Sequence, residues 1–201
     1  MTFFFSVLMF SIASIITPGP NNIVVFNSVL HKGVKQTLPV YVGICIGFPA
    51  LFIIVGLGLG EVFNCYPILQ YFLKLAGMGY LLFLAFKIAS QPGHVDITYK
   101  VFPSSFSGGV MFQWINPKAW VIAVGGISTY TSIGAKLPEI ISIAGILLLS
   151  CFVCIGFWLF LGSIAESVVS SGSWLSVLNK VMGAALAISV LPMITSIMQL
   201  P

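Results

Sequence analysis

The chain has 201 residues, 59% of them hydrophobic and only 6% charged, with a mean hydropathy of +1.12. A soluble domain carries about 25% charged residues, so this composition cannot cover a water-facing surface and the solvent around most of the chain must be lipid. The net charge of +4 comes entirely from lysine; charges this few exclude a nucleic-acid footprint and fit loop lysines at a cytoplasmic leaflet.

A helix that crosses hydrocarbon needs about 20 mostly apolar residues. Six segments qualify: Phe3–Val29, Leu38–Leu59, Ile68–Ala89, Phe106–Ser128, Ile140–Leu161 and Leu178–Ile197. They predict an all-α polytopic protein, one membrane domain over residues 1–201. The first segment lacks a basic n-region and a clear small-residue cleavage site, so it reads as a spanning helix rather than a cleaved signal.

Thr17-Pro18-Gly19-Pro20-Asn21-Asn22 falls in the middle of that first segment. Pro18 and Pro20 have no N–H for the carbonyls of Ser14 and Ile16, and Gly19 eases an irregular backbone, so the helix should break there. In lipid a break survives only where protein or water meets its freed groups. It leaves carbonyls that favour a cation and amides that favour an anion such as a carboxylate. Asn21 and Asn22 add side chains that both donate and accept, which suits a zwitterion. A packing kink held by neighbouring helices is the plainer reading of the same residues.

His31-Lys32-Gly33-Val34-Lys35 joins the first two segments and Asn64-Cys65-Tyr66-Pro67 the next two. His31 and His94 read as loop residues with no ligand cluster, hence no metal role. Gly43-x-x-x-Gly47 and Gly56-x-Gly58-x-Gly60 in the second segment read as packing positions. Lys74, ahead of Ala76-Gly77-x-Gly79 in the third, has a counterpart in Lys180, ahead of Gly183-Ala184-Ala185 in the sixth. These lysines either snorkel to opposite interfaces or make gating or coupling contacts with Glu166 and Glu61. The longest polar stretch, from Ser90 to Pro103, links two halves.

The fourth segment carries Gln113-Trp114-Ile115-Asn116-Pro117-Lys118. Pro117 frees the carbonyl of Gln113. A lysine at bilayer depth costs about 2.5–3.5 kcal/mol on insertion scales, so Lys118 should face a cavity or a partner unless the segment begins later and leaves it near the interface. Two roles fit it: neutralising a substrate carboxylate, or cycling a proton. Of the four cysteines, Cys45, Cys151 and Cys154 lie in apolar runs and behave as small hydrophobes; Cys65 lies in a connection.

Four pieces recur in the same order at offsets of 99 to 109 residues: Thr17-Pro18 with Asn116-Pro117, Cys45-Ile46-Gly47-Phe48 with Cys154-Ile155-Gly156-Phe157, Glu61 with Glu166, and Lys74 with Lys180. The chain therefore reads as two repeats, residues 1–100 and 101–201, of three helices each. An odd count per repeat inverts the second half, an architecture common among secondary transporters. Lys32, Lys35, Lys87 and Lys100 share one side and Lys136 the other. The positive-inside rule then puts both termini in the periplasm.

These residues resemble the lysine exporter and homoserine/threonine resistance family of amino-acid efflux proteins. The Thr17-to-Asn21 break, Asn116-Pro117-Lys118, and Lys74-x-x-Gly77-x-Gly79-Tyr80-Leu81 with Ala85-Phe86-Lys87 carry the resemblance over most of the chain. Pro20-Asn21-Asn22, His31-Lys32-Gly33 and Phe112-Gln113 look most like its cysteine and O-acetylserine exporter branch. The resemblance implies six helices in a bacterial inner membrane, export of neutral amino acids or derivatives, and coupling to the proton gradient. It implies no enzyme activity, cofactor or metal. The complete absence of arginine departs from many relatives. Two other functions stand beside export. One is a transmembrane thiol–disulfide conductor through Cys45 and Cys154. The other is a divalent-cation exporter, which would want carboxylates deeper than Glu61 and Glu166.

Overall fold

The computed structural model describes residues 2–59, 65, 67–90, 103–131, 137–168, 172–188 and 190. Glu61, Lys100, Lys136 and the side chain of Lys74 lie outside what is described. The described residues form seven α-helices and no strand: α1 Thr2–Ile16, α2 Pro20–Ile54, α3 Pro67–Ala89, α4 Phe106–Ile115, α5 Pro117–Tyr130, α6 Leu137–Val168 and α7 Gly172–Ile188. A π-helical turn, Val55–Leu59, extends α2. Runs Pro20–Gly58 and Leu137–Glu166 are long and apolar enough to cross a membrane.

Helix α2 is two helical runs joined at Gly33, whose φ of 75° and ψ of 170° suit a residue without Cβ. Its neighbours on α6 show that the chain reverses there. Gly162 packs on Phe26 and Val29, and the Glu166 carboxylate lies beside Gly33. After Gly33 the order runs backwards: the Tyr41 hydroxyl donates to Phe152 O at 2.7 Å, and Gly56 packs on Ile140. The expected connection at residues 31–35 is thus a tight helical hairpin rather than a loop. His31, expected in a loop, is helical and only 3% exposed.

Segments one and four pass each other antiparallel. Tyr130 donates to Ser6 O, Lys118 meets Thr17, and Gln113 meets Asn21. The second run of α2 lies along α4 through glycines on both helices. A Cβ on Gly43 would collide with the Phe106 backbone, and one on Gly109 would sit 2.5 Å from Val40 O. Backbones this close leave room for hydrogen only, which is the packing role expected of Gly43 and Gly47. Gly183 brings α7 equally close to α3, at Ala85 and Ala89.

Polarity is distributed inside out. Phe5, Leu57, Phe86, Val121, Val153 and Trp174 are 61–70% exposed, whereas Asn22, Asn27, Gln113, Asn116 and Asn179 are at most 2% exposed. Water-soluble folds bury the first kind and expose the second. A large apolar exterior over several helices is stable only against an apolar solvent.

Candidate functional site

Both proline-bearing segments are broken. Helix α1 stops at Ile16 and α2 starts at Pro20, with Gly19 extended between them at φ −172°. Helix α4 stops at Ile115 and α5 starts at Pro117, with Asn116 extended at ψ 107°.

The freed carbonyls are satisfied one by one, as burial without water demands. Ser14 O accepts the Thr17 hydroxyl at 3.0 Å, and Ile16 O accepts the Trp158 indole N–H at 3.0 Å. Asn22 Nδ2 donates to Ile15 O at 2.9 Å and Thr17 O at 2.8 Å. Thr17 O also accepts Lys118 Nζ at 2.6 Å. At the second break Gln113 O accepts the Asn116 N–H at 3.3 Å, and Trp114 O accepts the Trp120 indole at 2.8 Å. A tryptophan N–H therefore closes a carbonyl at each break.

The amide ends differ. The Asn116 side chain caps α5 by accepting from Lys118 N at 3.1 Å. Helix α2 has no side-chain cap, and its first described backbone bond is Ile23 N to Gly19 O. The amides of Asn21 and Asn22 stand ahead of that bond. This is an open helix N-terminus, where the macrodipole favours an anion.

Side chains tie one break to the other. Asn21 and Gln113 exchange two hydrogen bonds, Nδ2 to Oε1 at 2.9 Å and Nε2 to Oδ1 at 3.0 Å. Asn116 Nδ2 adds a third to Asn21 Oδ1 at 2.9 Å. Lys118 reaches from α5 across Gly19 to Thr17 Oγ1 at 2.8 Å, and a Cβ on Gly19 would press on Lys118 Cδ at 2.8 Å. The absence of a side chain at Gly19 is what lets the lysine stem cross.

Between the breaks lies a cavity of about 20 Å³, walled by Gly19, Asn21, Asn22, Asn116 and Lys118 and by apolar neighbours that include Phe48 of the second run of α2 and Cys151 of α6. Of the sequence-derived candidates, the structure thus brings together Thr17, Pro18, Gly19, Pro20, Asn21, Asn22, Gln113, Asn116, Pro117 and Lys118. Of these, Gly19, Asn21, Asn22, Asn116 and Lys118 line the cavity; Thr17 and Pro18 are exposed and meet Lys118, Gln113 meets Asn21, and Pro20 and Pro117 start the helices beside it. Glu166 and Lys180 are exposed and do not line the cavity. Cys45 and Cys154 are buried free thiols away from the cavity wall, which takes Cys151 instead. Among the described residues no three His, Cys, Asp or Glu side chains converge.

Two features escaped the sequence reading. Trp158 closes Ile16 O from 142 positions away, and nothing local announces it. A second buried polar layer lies along the first run of α2: Asn27 Nδ2 donates to Asn179 Oδ1 at 3.3 Å, and His31 Nδ1 lies 2.9 Å from Asn27 O. Asn27 and His31 are four residues apart in sequence, on one helix face, and that spacing was the available signal.

A family profile described as LysE type translocator matches residues 12–193. The chain is 32% identical over 124 residues to proteins named "Cysteine/O-acetylserine efflux protein" in Escherichia coli (strain K12), Shigella flexneri serotype 5b (strain 8401) and Shigella sonnei (strain Ss046). Each match covers 60% of this chain and 62% of the relative, so the chain spans less than two thirds of those proteins. No solved structure matches. With the profile covering almost the whole chain, including both breaks and the hairpin between them, this protein belongs to the LysE type translocator family.

Proposed function

We propose that the chain is a secondary transporter that exports neutral amino acids or their derivatives, of the cysteine/O-acetylserine or homoserine/threonine kind, through the bacterial inner membrane. The observation that carries this reading is the meeting of two proline-broken segments around one cavity, where Asn21, Asn22, Asn116 and Lys118 stand among apolar side chains such as Ile15, Phe48 and Ile122. An amino acid is a zwitterion, and the first break offers groups of both signs: carbonyls at the end of α1 and uncapped amides at the start of α2. The relatives named for cysteine and O-acetylserine efflux support the substrate class.

A cavity of about 20 Å³ holds about one water, too little for an amino acid, so export requires the segments to part. Six spans account for the chain: α1 with the first run of α2, the second run of α2, α3, α4 with α5, α6, and α7. Residues 1–100 and 101–201 form two inverted halves. In support, the segments that the repeat makes equivalent run antiparallel where they touch, segment one against segment four and the second run of α2 against α6. Rocking of one half against the other alternates access to the breaks. Lysine placement puts both termini in the periplasm, and the proton gradient drives export.

The test is efflux from vesicles preloaded with a panel of amino acids, with and without a pH gradient. Cysteine or a related neutral amino acid should leave faster than from protein-free vesicles, and faster still with the gradient. Lys118→Ala should insert normally and export poorly. Efflux at the protein-free rate for the whole panel refutes the proposal.

A further inference from the structure

The break in segment one creates a cation site that the protein fills itself. The carbonyls of Thr17 and Pro18 stand at the negative end of α1. Lys118 Nζ lies 2.6 Å from Thr17 O, 2.8 Å from Thr17 Oγ1 and 3.5 Å from Pro18 O. An ammonium has three N–H donors, and three oxygens face this one. No carboxylate lines the cavity, and the other titratable group on its wall is Cys151 of α6. Among the described residues the lysine is thus held by two helix-end carbonyls and a hydroxyl, none of them anionic.

An α-amino acid carries the same –NH3⁺ head group. Resting on the export reading above, we propose that Lys118 is a tethered stand-in for the substrate's α-ammonium. The substrate's ammonium takes over the oxygens of Thr17 and Pro18. The displaced lysine ammonium then pairs with the substrate's carboxylate, beside the open amides of Asn21 and Asn22.

The site has oxygens for one ammonium, and two cations at one point repel, so occupancy by lysine and by substrate excludes each other. Exchange also removes the Lys118 tie between α5 and the α1–α2 junction, the one that spans Gly19, and leaves the amide bonds of Asn21 as the remaining hold. That loosening is what a cavity of about 20 Å³ needs before an amino acid can enter. After release the lysine returns and reseals the break. Both ends of the zwitterion are required. A ligand with only an ammonium strands the displaced lysine, and one with only a carboxylate cannot empty the site.

The experiment titrates purified protein in lipid nanodiscs, under reductant, with L-cysteine, with cysteamine, which lacks the carboxylate, and with 3-mercaptopropionate, which lacks the amine. Wild type is expected to bind cysteine about tenfold or more tighter than either analogue. Lys118→Met empties the site and removes the carboxylate's partner, so it should bind cysteamine more tightly than wild type does, and its preference for cysteine should fall about tenfold. Lys118→Arg keeps a cation and should keep the wild-type order. Unchanged cysteamine affinity in Lys118→Met overturns the stand-in role. So does wild type binding 3-mercaptopropionate as tightly as cysteine, a result that does not depend on any variant folding. Both outcomes leave export itself standing. Wild type that binds no cysteine overturns the export reading, and the stand-in role with it.

Discussion

The bridge between the breaks can be tested as a double-mutant cycle on Asn21 and Gln113. Asn21→Ala deletes three hydrogen bonds: both arms of the exchange with Gln113 and the bond from Asn116. It leaves Gln113 Oε1 and Asn116 Nδ2 without these partners on side chains that are 0% and 1% exposed. Hydrogen bonds between membrane helices average about 0.6 kcal/mol and reach about 1.7. Three of them give a loss of about 2–5 kcal/mol for Asn21→Ala. Gln113→Ala removes the two reciprocal bonds and the one to Gly109 O, with a loss of similar size. The bonds that the pair shares are counted in both single variants, so the double variant should cost less than the sum by about 1–3 kcal/mol. Reversible unfolding in detergent micelles measures all four corners. The same variants should lose export, since the bridge holds the two breaks at one depth. Additivity within about 0.5 kcal/mol would show that the amides do not act as a pair and would refute the bridge.

Three further outcomes follow from the packing. Gly19→Val places methyl groups where the Lys118 stem crosses, 2.8 Å from Cδ for the Cβ alone, so vesicle efflux should fall as it does for Lys118→Ala; wild-type efflux would show that the crossing is dispensable. Gly109→Leu drives a side chain into the α2 backbone at Val40 O and Ile44 N and should cost about 1–3 kcal/mol or more, read as a lower melting temperature in detergent; an unchanged melt would contradict the close approach of α2 and α4. Cys45→Ser with Cys154→Ser should retain export, since neither thiol lines the cavity, whereas complete loss in a folded double variant would favour thiol–disulfide conduction.

The helix breaks were legible in the sequence because their cause is local. A proline removes its own N–H and crowds the preceding turn, yet Pro39 and Pro49 lie inside α2 without breaking it; what marks the interruptions is the company the other prolines keep, Pro18 and Pro20 around Gly19 with Asn21 and Asn22 beside them, and Pro117 after Asn116. The lipid setting was equally legible, because composition alone limits how much water-facing surface can be built. The turn between the first two segments was visible as polar residues, but its form was not. A hairpin at Gly33 with His31 buried depends on what packs around it, and α6 supplies that through Phe152, Gly162 and Glu166.

Local partners answer Ser14 O, Ile15 O, Gln113 O and Trp114 O, and tertiary structure alone decided what answers the others. Ile16 O is closed by Trp158 and Thr17 O by Lys118, partners 142 and 101 positions away. The sequence singled out Lys118 as too deep to be idle, and left open whether it meets a carboxylate or carries a proton. In the folded chain it meets carbonyl and hydroxyl oxygens. An ammonium goes to whichever oxygens the packing sets within reach, and that distance comes from two segments crossing antiparallel, which no local pattern encodes.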